Sequence, residues 1–94
     1  MRKNVYCIYD QVSEIYMPPF LEMNEGTCRR MIKEAHAQKQ SGIAEHVEDL
    51  HLYSIGYYND NTGLIDSHPT GVLRVDSVAN IVRSIDIDPA AKDS

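Results

Sequence analysis

No stretch of this 94-residue chain approaches the roughly 18 consecutive apolar residues that mark a membrane-spanning helix. The opening Met1-Arg2-Lys3-Asn4 leads into an apolar run too short for the hydrophobic part of a secretory signal. A cytosolic protein with no membrane contact is therefore expected. Cysteine is scarce: Cys7 falls in a predicted strand and Cys28 in a predicted helix, with no C-x-x-C spacing between them. Both read as small buried hydrophobes, and a reducing cytosol disfavours a disulfide. Internal repeats and low-complexity segments are absent.

The signatures of bond-making chemistry are missing too. There is no G-x-S-x-G, no G-x-G-x-x-G and no G-x-x-x-x-G-K-[ST]. The histidines His36, His46, His51 and His68 show no H-E-x-x-H spacing, and no cysteine stands near enough to complete a recognisable zinc site. The loop Asn59-Asp60-Asn61-Thr62-Gly63 invites a calcium reading. Setting Gly63 at the invariant glycine of an EF-hand loop puts Tyr58 and Pro69 at ligand positions that need acids, so the motif fails. Cys7 and Cys28 sit among apolar neighbours, the wrong setting for a nucleophilic thiol. Glu45, Glu48 and Asp49 read as a solvated linker. The sequence predicts no enzyme, no metal and no cofactor.

What is present is a single small domain of ordinary composition, 43% hydrophobic and 24% charged. A chain of this size buries roughly 60–65% of its unfolded surface, and oligomerisation commonly supplements such a core. Asn4 to Asp10 is rich in aromatic and β-branched residues and reads as a central strand, with Tyr6 and Ile8 on one face and Val5, Cys7 and Tyr9 on the other. Gln11 to Glu14 reads as a turn. Ile15 to Phe20 is extended but cut by Pro18-Pro19, which confines it to an edge or a loop. Asn24 is a helix N-cap, and Cys28, Met31, Ile32 and Ala35 recur at helical spacing up to a stop near Gln40 to Gly42.

Leu50 to Tyr58 is a second strong strand, followed by a hairpin turn at Asn59 to Gly63 and a resumed strand at Leu64-Ile65. Asp66 to Gly71 reads as a loop and Val72 to Val75 as a short extended piece. Val78, Ile81, Val82 and Ile85 restore helical spacing behind a cap at Asp76 or Ser77. The expectation is an α+β fold. It has a small, mostly antiparallel sheet, one main helix over about 24–40 and a shorter C-terminal helix over about 77–85. Residues 1–86 would form the domain and 87–94 an acidic, flexible tail.

Net charge is −5, which works against generic nucleic-acid affinity. The charge is uneven, however: Arg29 to Lys39 holds four basic residues and one acid, Glu34. Single strands are held by cations along the backbone and aromatic rings under the bases. Arg29, Arg30, Lys33 and Lys39 supply the first requirement. Tyr6, Tyr9, Tyr53, Tyr57 and Tyr58 supply the second wherever they face solvent. A solvated helix face and ordinary sheet packing account for the same residues.

The opening V-Y-C-I-Y-D, Tyr16, Pro18-Pro19-Phe20 and Asn24-Glu25-Gly26-Thr27-Cys28-Arg29 resemble the small non-structural protein of gokushovirus-type microviruses. His46-Val47-Glu48-Asp49-Leu50, then Leu52-Tyr53-Ser54-Ile55-Gly56-Tyr57-Tyr58 and Asn59-Asp60-Asn61-Thr62-Gly63-Leu64-Ile65, resemble its second block. The likeness spans about residues 4 to 75. Tyr57-Tyr58 replace a usual Glu-Phe, and Val47 stands where a proline is frequent. Gly26 in the first helical turn calls for a reason, such as close approach of another chain or a phosphate to free N–H groups beside Asn24.

The resemblance implies a bacteriophage protein made in the host cytoplasm during infection and absent from the virion. It implies a role in the switch to single-stranded genome synthesis, coupled to packaging, with DNA binding and no catalytic residues. Candidate DNA contacts are Arg29, Arg30, Lys33, Lys39, Asn24, Gly26, Tyr57 and Tyr58. The alternative is a homo-oligomeric interaction module that docks on a phage replication or procapsid protein without touching DNA.

Overall fold

Two long antiparallel strands, β1 (Arg2–Asp10) and β4 (Leu50–Asn59), form the centre of the sheet. The computed structural model describes residues 2–39 and 46–84. The linker at 40–45, the helix stop expected near Gln40 to Gly42, Ile85 and the acidic tail lie outside the described residues.

Each outer position of the sheet is divided between two short strands. On the β1 side, β2 (Ile15–Tyr16) pairs with Tyr9-Asp10 and β3 (Phe20–Glu22) with Asn4 to Tyr6. Pro18-Pro19 separates them, because proline offers no N–H to the ladder. On the β4 side, β5 (Leu64–Ser67) pairs with Gly56 to Asn59 and β6 (Leu73–Ser77) with His51 to Ser54. Asp10 closes the β1–β2 turn: its carboxylate accepts from the Val12 N–H at 2.9 Å, and its carbonyl from the Glu14 N–H at 2.8 Å.

Helix α1 (Glu25–Ala37) starts in a capping box, with the Asn24 side chain accepting from the Thr27 N–H and Thr27 Oγ1 accepting from the Asn24 N–H. It ends at Ala37, short of the expected position, where Lys39 takes a left-handed conformation and its N–H bonds the His36 carbonyl. After a 3-10 turn at Val47–Asp49 and strands β4 to β6, helix α2 (Val78–Arg83) starts from Ser77, whose hydroxyl caps the Asn80 N–H. Both helices lie on one sheet face. There Tyr6, Ile8, Leu50 and Leu52 pack against Cys28, Ile32, Val78 and Ile81 as one buried cluster.

The expected α+β class with a small sheet is overturned. Among the described residues the sheet is six-stranded and fully antiparallel, curled into a half-barrel, and strand outweighs helix at 42% against 29%. The excess comes from segments too short or too polar to declare themselves. Asp66 and Ser67 read as loop yet pair with Tyr57 and Gly56, and the ladder of β6 runs on to Ser77. Tertiary pairing recruits such segments regardless of their own propensity.

Candidate nucleic-acid interface

The residues proposed from the helix are not equally available. Arg29 is partly buried and committed: Nη1 donates to Asp76 at 2.8 Å and Nε to Glu25 at 3.1 Å. Lys33 donates to the Ser84 carbonyl at 2.6 Å. Arg30 and Lys39 are exposed. Asn24 is occupied in capping, and the room beside Gly26 is taken by it: a Cβ there would stand 3.2 Å from Asn24 Oδ1. A side chain at this position would therefore press on the capping amide.

The sheet face turned away from the helices is organised differently. Pairing partners share a face, so the register assigns Lys3, Val5, Cys7 and Tyr9 of β1 to this side together with Tyr16, Leu21, His51, Tyr53, Tyr58, Ile65 and Arg74. Tyr9, Tyr16 and Tyr53 form a triad of rings. Tyr9 and Tyr16 centroids are 4.5 Å apart, and Tyr53 meets them edge-on at 5.9 and 5.5 Å. Tyr16 leaves 47% of its surface to solvent. Burial, followed by the neighbouring Tyr53 and Tyr9, pushes its hydroxyl pKa up, so at neutral pH it stays a hydrogen-bond donor. At the other end of the face, Tyr58 lies opposite the exposed Lys3. Between the two ends Val5 and Cys7 are covered by their neighbours, 1% and 3% exposed.

Charge is sorted between the two faces. The carboxylates of the described strands are Asp10, Glu22, Asp66 and Asp76, and all four fall at register positions of the helix side. The open side carries Lys3 and Arg74. Lys3 also feels Asp60 in the adjacent hairpin turn. Arg74 donates to His51 Nδ1 at 3.2 Å, and His51 Nε2 lies 3.0 Å from Gln11 Oε1. These two contacts fit a neutral imidazole with its proton on Nε2. The ring therefore steers Arg74 without cancelling its charge.

Tyr57 and Tyr58 part company. Tyr57 falls on the helix side of β4, edge-on to the His68 ring at 5.3 Å, while Tyr58 faces the open side. His68 Nε2 stands 2.8 Å from Ser54 Oγ, a pairing fourteen residues apart that no motif announces. It fastens the 68–72 connection to β4. Among the described residues, no group of three or more His, Cys, Asp or Glu is placed to hold a metal ion. Both thiols are buried, and burial drives the Cys28 pKa up to about 12, far from a reactive thiolate. No described helix is long and apolar enough to cross a membrane.

The chain thus forms a half-barrel sheet backed by two helices, with a tyrosine-bearing face free of carboxylates from the described strands. The chain matches the family described as phage ORF5 protein over residues 3–82 and belongs to that family. It is a bacteriophage protein. No curated protein and no solved structure matches it.

Proposed function

We propose that the protein binds single-stranded DNA across the open sheet face, as a non-structural accessory of genome synthesis or packaging in a gokushovirus-type phage. The observation that carries this reading is the coincidence of the tyrosine triad with the sorting of charge. A chain of net charge −5 keeps the carboxylates of its described strands off the one face that carries the clustered tyrosines, Lys3 and Arg74. Rings supply faces for unpaired bases, and cations at both ends meet the phosphates. A duplex hides its base faces, so single strands are preferred. The host cytoplasm, where such DNA is made, is the corresponding location.

Titration of a fluorescent thymidine oligomer at two salt concentrations tests the reading. Binding should weaken with salt, and Tyr53→Leu should lose about 1–3 kcal/mol while keeping its far-UV dichroism. Equal affinity for duplex and single strand, or an unchanged Tyr53→Leu, would remove the support.

A second reading rests on exposed apolar side chains at the two ends of the sheet. Val12 and Ile15 are 72% and 61% exposed at one end, and Leu64 and Ile65 are 63% and 51% exposed at the other. Such patches suit a homo-oligomer or contact with a phage replication or procapsid protein. That reading expects a sedimentation mass well above 10.7 kDa and no retention of single strands.

A further inference from the structure

The tyrosines of the open face do not form one patch. The triad Tyr9, Tyr16 and Tyr53 occupies the end of the sheet where β1 finishes, while Tyr58 stands opposite Lys3 where β1 begins. Along β1 the distance from Lys3, opposite Tyr58, to Cys7, opposite Tyr53, is four residue steps, or about 13 Å at the rise of a strand. Between these two levels lies one register position, Val5 opposite Gly56, which carries no aromatic ring. Val5, Cys7 and Gly56 are all buried, so neighbouring atoms of the chain cover this stretch of the sheet between the two stations. Each end has its own cation, Lys3 beside Tyr58 and Arg74 opposite Tyr53.

We infer that the DNA strand runs lengthwise, parallel to β1 and β4, and is gripped at two separate stacking stations. The inference rests on the single-strand reading above and adds path and length to it. A crosswise strand would meet the triad alone and leave Tyr58 and Lys3 without a role. A lengthwise strand places one or two bases on the triad, sets another on Tyr58, and spans the interval above the side chains that cover Val5 and Cys7. The phosphates then approach a cation at each end. A mononucleotide or dinucleotide reaches one station only. Full affinity requires a strand of roughly four nucleotides, the lower end of single-strand site sizes on small β folds.

The test is a length series on the full chain, with thymidine oligomers of two, four, eight and twelve nucleotides at one salt concentration. The affinity of the unmodified protein should step up by about tenfold or more between two and eight nucleotides, then rise only slowly. Tyr58→Leu retains an apolar side chain on the strand and removes the stacking ring. In that variant the step should disappear, with dinucleotide binding held within about twofold. A far-UV spectrum identical to that of the parent establishes that the sheet is intact, and Tyr58→Phe should restore the step. A step that persists in Tyr58→Leu, or affinity already complete at two nucleotides, would overturn the lengthwise path while leaving DNA binding itself in place. No binding at any length would remove both readings together.

Discussion

Gly56 shows how tightly single positions are specified. Its φ of +156° is one that side-chain-bearing residues rarely adopt, and a Cβ there would stand 2.2 Å from the Asp66 carbonyl oxygen of the neighbouring strand. The obstacle is backbone, which cannot rotate aside. Gly56→Ala should therefore cost about 2 kcal/mol or more, visible as a lower denaturant midpoint, with β5 the first element to lose amide protection. An unchanged midpoint would show that the ladder relaxes around the methyl group. The sequence displayed this glycine inside a strand pattern without revealing why. By contrast, Asn24 was legible as an N-cap from its own chemistry, because the bond it makes is three residues away in the chain.

At the scale of elements, the deciding features are two irregularities of register. Ile55 is an extra residue between the pairs Tyr6–Ser54 and Val5–Gly56, and Val75 between Leu52–Asp76 and Tyr53–Arg74. Strict alternation would put Tyr57 on the side of Tyr53. The bulge at Ile55 puts Tyr58 there instead. The bulge at Val75 likewise turns Arg74 toward the tyrosines and Asp76 toward α1. Sequence reading could name both tyrosines but not choose between them, since a bulge depends on the partner strand. Asp76 then ties β6 to α1 through Arg29 and to α2 through Asn80. Burial acts to raise the Asp76 pKa, but the hydrogen bonds from Arg29, Asn80 and the Ser77 N–H outweigh it and hold the carboxyl below the ordinary aspartate range. Because folding lowers this pKa, the contribution is complete above the unfolded-chain value and is lost as pH falls through the folded one. Asp76→Asn should lower stability at neutral pH by about 1–2 kcal/mol and flatten the acid limb of the stability profile. Parallel acid limbs for the two proteins would show that the carboxylate is not coupled to folding.

Taken whole, the molecule has two unlike sides, and the sequence disclosed only one. The strands of greatest apolar content, the two helices and the hairpin at Asn59 to Gly63 were readable because periodicity and turn chemistry are local. The dominance of the sheet was not, since β2, β3 and β5 are two, three and four residues long and acquire their geometry from β1 and β4. The cations were sought where they cluster in sequence, on α1. The fold turns Arg29 inward and sets Lys3 and Arg74, 71 residues apart in the sequence, on the open sheet face. The two sides make opposite predictions in a salt titration. Arg74→Ala should reduce the slope of log K against log salt by about 0.7, the share of one phosphate contact on a single strand, while Arg30→Ala leaves the slope unaltered. The reverse outcome would move the interface to the helix.

The division of both sheet margins into short pieces has a consequence for life at high concentration. Unpaired strand margins are templates on which further chains can add, growing into fibres when the margin is long and flat. Here Pro18-Pro19 interrupts one margin and the 68–72 connection the other, so neither presents an uninterrupted strand longer than the five residues of β6. Short, interrupted margins give a sheet-rich chain with apolar side chains in water no long template for polymerisation, and leave growth to compete for at most five residues of edge.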